Sequence, residues 1–222
     1  MRPSQKIHVY FMPGMAANST IFSKISLPEL QFEMHFLDWV IPEQGQDLCT
    51  YARAMCKKVL HENPVLVGVS FGGLLVQEMA KWIKVQKVII ISSIKKRSEL
   101  PKRMVFAKYT RIHKLLPTGL VHNVEFLAKY AFGETVTKRL KLYEQYLSIR
   151  DKRYLDWAID QTINWSQKEP MAHTIHIHGA KDAVFPITNI THCILVENGT
   201  HTMIIHRFRW FNEHLPTIIL ES

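Results

Sequence analysis

The sequence predicts an α/β fold: a doubly wound, mostly parallel six-stranded sheet with a helical cap inserted after the fourth strand. Three observations lead there. Short apolar runs of strand length alternate with helical patterns from residue 6 to residue 93, as strand–helix–strand units require. The alternation stops over 94–170, where only helical spacing appears, and then resumes. The stretch Gly68-Val69-Ser70-Phe71-Gly72 joins an apolar strand to a helix through a tight turn with serine at its apex.

Lys6–Met12 reads as a buried strand ending in the small-residue loop Pro13-Gly14-Met15-Ala16-Ala17. Asn18 or Ser19 then caps a short helix carrying Ile21, Phe22 and Ile25, closed by Pro28. Glu33–Trp39 is the second strand. Asp47 caps an amphipathic helix in which Leu48, Cys49, Ala52, Met55, Cys56, Val59 and Leu60 keep the helical period. Pro64–Val69 is nearly all apolar, as suits a strand covered on both faces of a parallel sheet. The pattern from Gly73 to Lys84 is apolar over much of its surface, Trp82 and Ile83 included, and is expected at the centre. Lys87–Ser92 is the fourth strand.

Within 94–170, Val105, Tyr109, Ile112 and Leu116 keep helical spacing, as do Val136, Leu140, Tyr143 and Leu147. The expected organisation is one core, 1–93 with 171–222, and a helical cap, 94–170. Beyond it, Thr174–His178 is the fifth strand, followed by Gly179 and a loop with Asp182 and Pro186. His192–Val196 is the sixth. After the loop Glu197–His201 a last helix starts near Thr202, with Ile204, Phe208, Phe211 and Leu215 in register. His206 and His214 fall on it and are expected to be partly exposed.

With 222 residues the chain is expected to be one domain, or one domain with a sizeable insertion, and 47% hydrophobic with 21% charged residues is ordinary for a soluble globular protein. No apolar stretch approaches membrane-spanning length. The N-terminal run Ile7–Phe11 is too short for a signal peptide and lacks a cleavage site. Three cysteines form no pairing framework. Cys49 and Cys56, on one helical face, are expected in the core in a reducing compartment, with the cytoplasm as the expected location.

The net charge of +9 sits almost wholly in the insertion: 94–170 holds 16 Lys and Arg against 8 Asp and Glu, and the rest of the chain 12 against 11. Lys102, Arg103, Lys108, Arg111 and Lys114 alternate with Met104, Val105, Phe106, Tyr109 and Ile112, a basic amphipathic helix. A solvated face explains it. The same pattern suits docking of an acidic carrier protein or transient contact with an anionic membrane, through Arg103, Lys108, Arg111 and Lys114. No nucleic-acid-binding module or glycine-rich phosphate loop appears.

An acyl-transfer site needs a nucleophile, a base, an acid to orient the base, and donors for the oxyanion. In an open parallel sheet these belong at the carboxyl ends of strands. Ser70 follows the third strand, Asp182 the fifth and His201 the sixth. The 112 residues from Ser70 to Asp182 contain the insertion, and the 19 from Asp182 to His201 make one crossover unit. No acid occurs in Ser92-Ser93-Ile94-Lys95 after the fourth strand, so Asp182 has no near rival.

On Gly68-Val69-Ser70-Phe71-Gly72, His178-Gly179-Ala180-Lys181-Asp182 with Pro186, and Asn198-Gly199-Thr200-His201, the chain resembles the α/β-hydrolase fold superfamily over essentially its whole length, in the manner of a small serine esterase or thioesterase. The resemblance implies Ser70 as nucleophile, His201 as general base and Asp182 as orienting acid. It implies the backbone N–H groups of Phe71 and Met15 as oxyanion donors, with no cofactor and no metal. Met15, Phe71 and Met203, with aromatic residues of the cap, are expected to line an apolar pocket. The activity implied is hydrolysis of a carboxylic ester or thioester through an acyl-enzyme. The sequence departs from the family in two places. Pro13-Gly14 stands where many members carry His-Gly, and the chain begins at the family's third strand, which predicts six strands in the order 2-1-3-4-5-6.

Other readings stay open. The substrate could be an acyl group borne on an acidic carrier protein, as for the pimeloyl-carrier methyl esterases. The chain could be a non-catalytic ligand-binding module on the same scaffold, as some hormone receptors are. Lyase or haloperoxidase chemistry uses the same three residues. Among twelve histidines, His176 and His178 share one face of the fifth strand. Without a third ligand at useful spacing they are read as no metal site, and His178 as support for the loop bearing Asp182.

Overall fold

The computed structural model of the chain describes residues 6–110 (side chains of 107, 108 and 110 excepted), 146 and 149–221. Six strands form one sheet: β1 (Ile7–Met12), β2 (Phe32–Phe36), β3 (Val65–Val69), β4 (Lys87–Ile91), β5 (Thr174–Gly179) and β6 (Ile194–Val196). Their order is β2-β1-β3-β4-β5-β6 and every neighbouring pair is parallel, as the sequence predicts. All carboxyl ends therefore lie on one rim. The chain steps out from β1 to β2 and back to β3, and this reversal opens a crevice at that rim.

The helices are α1 (Leu48–Cys56), α2 (Phe71–Met79), α3 (Lys102–Thr110), α4 (Lys152–Asn164), α5 (Met203–His206) and α6 (Phe208–Leu220). Side-chain alternation along the strands builds a core on each face. Tyr10 and Met12 of β1 pack with Leu66, Ile90, Met55 and Leu75. Val9 and Phe11 point the other way, among Val67, Ile89, Phe211 and Leu215. β3 and β4 are buried throughout, in keeping with their apolar sequences, and the one charge, Lys87, donates to the Ile218 and Ile219 carbonyls.

Asn18 caps a short 3-10 turn, Ser19–Phe22. Asp47 caps α1 by accepting from the Thr50 N–H at 2.7 Å. The buried face of α1 is Leu48, Tyr51, Ala52 and Met55. Cys49 lies outside that stripe and is exposed, contrary to expectation; only Cys56 is partly covered. α1 ends at Cys56, before the period seen in the sequence runs out, so Leu60 is exposed. α2 likewise stops at Met79, and Trp82 is exposed beneath the Arg53 guanidinium rather than central. The last helical stretch breaks at Arg207 into α5 and α6, and α6 continues through Pro216.

The regular elements described within 94–170 are a 3-10 turn at Arg97–Glu99, then α3 and α4, with coil among the described residues between and after them. Tyr154, Leu155 and Ala158 of α4 join the core cluster around α2. The helical spacings read at Ile112, Leu116, Val136, Leu140, Tyr143 and Leu147 lie outside the described residues. Among the described residues no helix is long and apolar enough to cross a membrane.

Candidate active site

Ser70 stands between β3 and α2 with φ 52° and ψ −119°. That is strained backbone for a residue with a Cβ, and it persists only where the surroundings hold it. Three contacts do so. The Ser70 N–H donates to the Ile91 carbonyl at 2.9 Å, tying the turn to the end of β4. The Ser70 carbonyl accepts from the Gly73 N–H at 2.8 Å and the Ser93 hydroxyl at 2.7 Å. The flanking glycines permit the crossing: a Cβ on Gly68 would lie 2.3 Å from the Gly72 carbonyl oxygen.

Asp182 follows β5. Its Oδ1 accepts from the N–H groups of Val184 and Phe185 at 2.8 and 2.9 Å. Beneath it, His178 donates through Nε2 to the Phe185 carbonyl at 2.8 Å, so it does brace this loop. His201 follows β6 on a loop that interlocks with the first. A Cβ on Gly179 would lie 2.4 Å from the Gly199 carbonyl oxygen, and the Lys181 N–H donates to that same oxygen at 2.7 Å.

The two loops bring three distant side chains together. His201 Nδ1 is 2.9 and 3.1 Å from the two Asp182 carboxylate oxygens, and His201 Nε2 is 2.9 Å from Ser70 Oγ. The Asp182 side chain is fully buried. Burial alone would raise its pKa, but the adjoining His201, the Phe185 N–H and His178 outweigh that and hold it below the ordinary carboxylate value. A buried carboxylate at Nδ1 fixes the imidazole so that Nε2 faces the hydroxyl. Such a chain can draw a proton from Ser70 Oγ and return it elsewhere.

An apolar cavity of about 120 Å³ opens beside Ser70. Met15, Phe71, Met104, Tyr146 and Leu155 are among its walls. Met15 and Phe71 are among the residues around it, and Met203 is not. Its side chain is buried in the core with its sulfur against Gly199, and the next two residues, Ile204 and Ile205, reach the cavity instead.

Phe71 opens α2, so its N–H has no carbonyl four residues back within the helix. The Gly14 carbonyl accepts from the buried Trp39 indole N–H at 2.8 Å. In a trans peptide the C=O and the following N–H point oppositely, so the Met15 N–H faces away from Trp39. Trp39 also stacks on Phe71, with ring centroids 4.9 Å apart. Sequence reading misses Trp39 as a site residue, because its contact with the Gly14 loop is set by the fold alone. It also misses Ser93.

Arg103 is exposed, but its guanidinium is engaged. Nη2 donates to the carbonyls of Ala183 and Val184, both at 2.8 Å, beside Asp182. The Lys108 side chain, Arg111 and Lys114 lie outside the described residues. After β4 there is an acid the sequence reading passes over: Glu99, buried, accepts from the Lys95 N–H at 2.8 Å and from the Thr191 hydroxyl at 3.0 Å. It ties two loops and touches neither Ser70 nor His201. His176 Nε2 and His178 Nδ1 are 3.0 Å apart, with no third ligand beside them among the described residues.

No protein-family model matches the chain, and no curated protein matches its sequence. Solved structures match closely in shape. An esterase from Exiguobacterium antarcticum aligns over 98% of this chain and 93% of its own, with TM-score 0.66 at 18% identity. A bromoperoxidase from Bacillus anthracis aligns over 98% and 93%, with TM-score 0.68 at 17% identity. An α/β-hydrolase fold protein from Burkholderia ambifaria aligns over 95% and 90%, with TM-score 0.67 at 15% identity.

Proposed function

We propose that this chain, which has the α/β-hydrolase fold, is a serine hydrolase that cleaves a carboxylic ester or thioester. One observation carries the reading: a single imidazole spans Ser70 Oγ and a buried carboxylate, at a serine held in strained backbone. Ser70 attacks the acyl carbon while His201 takes its proton. The Asp182 carboxylate holds the imidazole in place and stabilises the imidazolium that forms. The N–H groups of Phe71 and Met15 receive the oxyanion. His201 then protonates the leaving alcohol or thiol. Water, deprotonated by the same imidazole, releases the acid and restores Ser70.

The walls of the cavity favour an aliphatic or aromatic acyl group over a charged one. Segment 94–170 acts as a cap: Met104 and Leu155 supply part of the wall. The esterase among the structural neighbours is in keeping with this chemistry.

Reaction with a fluorophosphonate probe, read by intact mass and peptide mapping, tests the proposal. One adduct on Ser70 is expected, lost in Ser70→Ala, together with a fall of several orders of magnitude in ester turnover. A folded wild-type protein that takes no label, or a Ser70→Ala variant that keeps most of its rate, would sink it and leave the ligand-binding reading.

A further inference from the structure

Three histidines meet far from the cavity. Strand alternation puts His8 and Tyr10 on one face of β1, and Glu33 and His35 on one face of β2. The parallel register sets His8 beside Glu33 and Tyr10 beside His35. His61, in the connection from α1 to β3, closes over them, its ring stacked on His8 with centroids 3.5 Å apart. One ring nitrogen from each histidine lies within 4.8 Å of the other two.

We infer that His8, His35 and His61, with the Glu33 carboxylate, bind a divalent ion of the zinc class and so clamp β1, β2 and the α1–β3 connection together. Nitrogens around a four-coordinate zinc, at bonds of roughly 2.0–2.1 Å, lie about 3.3 Å apart. His8 Nδ1 and His35 Nε2 are 3.0 Å apart. The two Glu33 oxygens face them separately, Oε2 at 3.8 Å from His8 Nδ1 and Oε1 at 3.8 Å from His35 Nε2, too long for hydrogen bonds but near enough for the carboxylate to join a shared ion. Imidazole nitrogens with one carboxylate select zinc, nickel or copper over magnesium and calcium.

Binding requires one adjustment. The His8 and His61 rings are within 9° of parallel, so their lone pairs lie in separate planes. His61 must turn out of the stack and give up its 2.7 Å contact with the Tyr10 hydroxyl. The site lies well away from Ser70: His8 is four residues before Met12 on β1, on the order of 13 Å back from the rim. The role is therefore structural and independent of the hydrolase chemistry.

Titration of the chelator-stripped full chain with zinc chloride, by calorimetry and thermal melting, tests it. One ion per chain and a raised Tm are expected, with magnesium chloride giving neither. His35→Gln and His61→Gln should each weaken zinc binding by about tenfold or more, while His214→Gln on α6 leaves it unchanged. Lack of saturable one-to-one binding, or wild-type affinity in both site variants, overturns the inference. Should a histidine variant melt early without metal, Glu33→Gln decides: weaker zinc binding supports the site, and unchanged binding rejects it.

Discussion

Gly72 lies so close to Pro13 that a Cβ on it would stand 2.4 Å from the Pro13 carbonyl oxygen. The start of α2 thus rests directly on the end of β1, and Gly68 rests on Gly72 in turn. The serine turn is a stack of three backbones with no side chain between them, and the strain at Ser70 is held by that stack. Gly72→Ala must push α2 away from the rim. We expect a stability loss of about 1–3 kcal/mol and a drop in ester turnover larger than the stability loss explains. Urea melts run beside initial rates check this, and wild-type values for both would contradict the packing argument.

The buried histidines of β5 predict acid sensitivity. Burial, with His178 and Lys95 adding to it, lowers the His176 pKa from the ordinary 6.5 to about 3. Between those values the unfolded chain binds a proton that the folded chain refuses. Stability contributed by this group is therefore complete above pH 6.5 and declines as pH falls toward 3, by at most about 1.4 kcal/mol per pH unit. Asp182, whose folded pKa is depressed, adds a second loss below its ordinary 3.8. Tm measured from pH 7 to pH 4 should fall steadily, and His176→Gln should flatten the slope. An unchanged slope in that variant would assign the acid response elsewhere.

Arg103 separates two accounts of the basic helix. It donates to the Ala183 and Val184 carbonyls, and the Val184 N–H holds Asp182, so Arg103→Gln should loosen the loop that orients His201. Hydrogen bonds of about 1 kcal/mol each, partly exposed, lead us to expect a loss of up to about tenfold in kcat, equal on small esters and on carrier-borne ones. Loss confined to carrier-borne substrates, with small-ester rates intact, would instead favour docking of an acidic partner.

Those cases show what can be read from one dimension. The strands were legible because buried parallel strands write apolar runs, as Val65–Val69 and 88–91 do, and their order followed from the resemblance. That Ser70, Asp182 and His201 come together was legible because they follow β3, β5 and β6, whose carboxyl ends share one rim. Periodicity misled where a helix stopped early: Leu60 and Trp82 continue an apolar pattern that the backbone does not follow. Which side chain of 203–205 faces the cavity was not legible either: Ile204 and Ile205 line it, and Met203 turns to the core. The His8, His35 and His61 cluster was illegible, since it needs the β1–β2 register and a loop from beyond α1. Trp39 was illegible for the same reason.

Trp39 carries the last prediction. Its indole N–H bonds the Gly14 carbonyl and thereby fixes the plane of the Gly14–Met15 peptide, whose N–H is the proposed second oxyanion donor. Trp39→Phe keeps an aromatic ring against Phe71 but removes that donor. The peptide then keeps the longer bond from the Ala17 N–H to the same carbonyl, 3.2 Å, and can tilt about it, and only stabilisation of the developing oxyanion should suffer. Losing such a donor outright costs about a hundredfold to a thousandfold in kcat, so a misdirected one should cost about tenfold, with KM little changed. Steady-state kinetics on an activated ester read this directly. A variant with normal kcat and raised KM would place Trp39 in the pocket wall instead, and would leave the Met15 N–H without a role in the transition state.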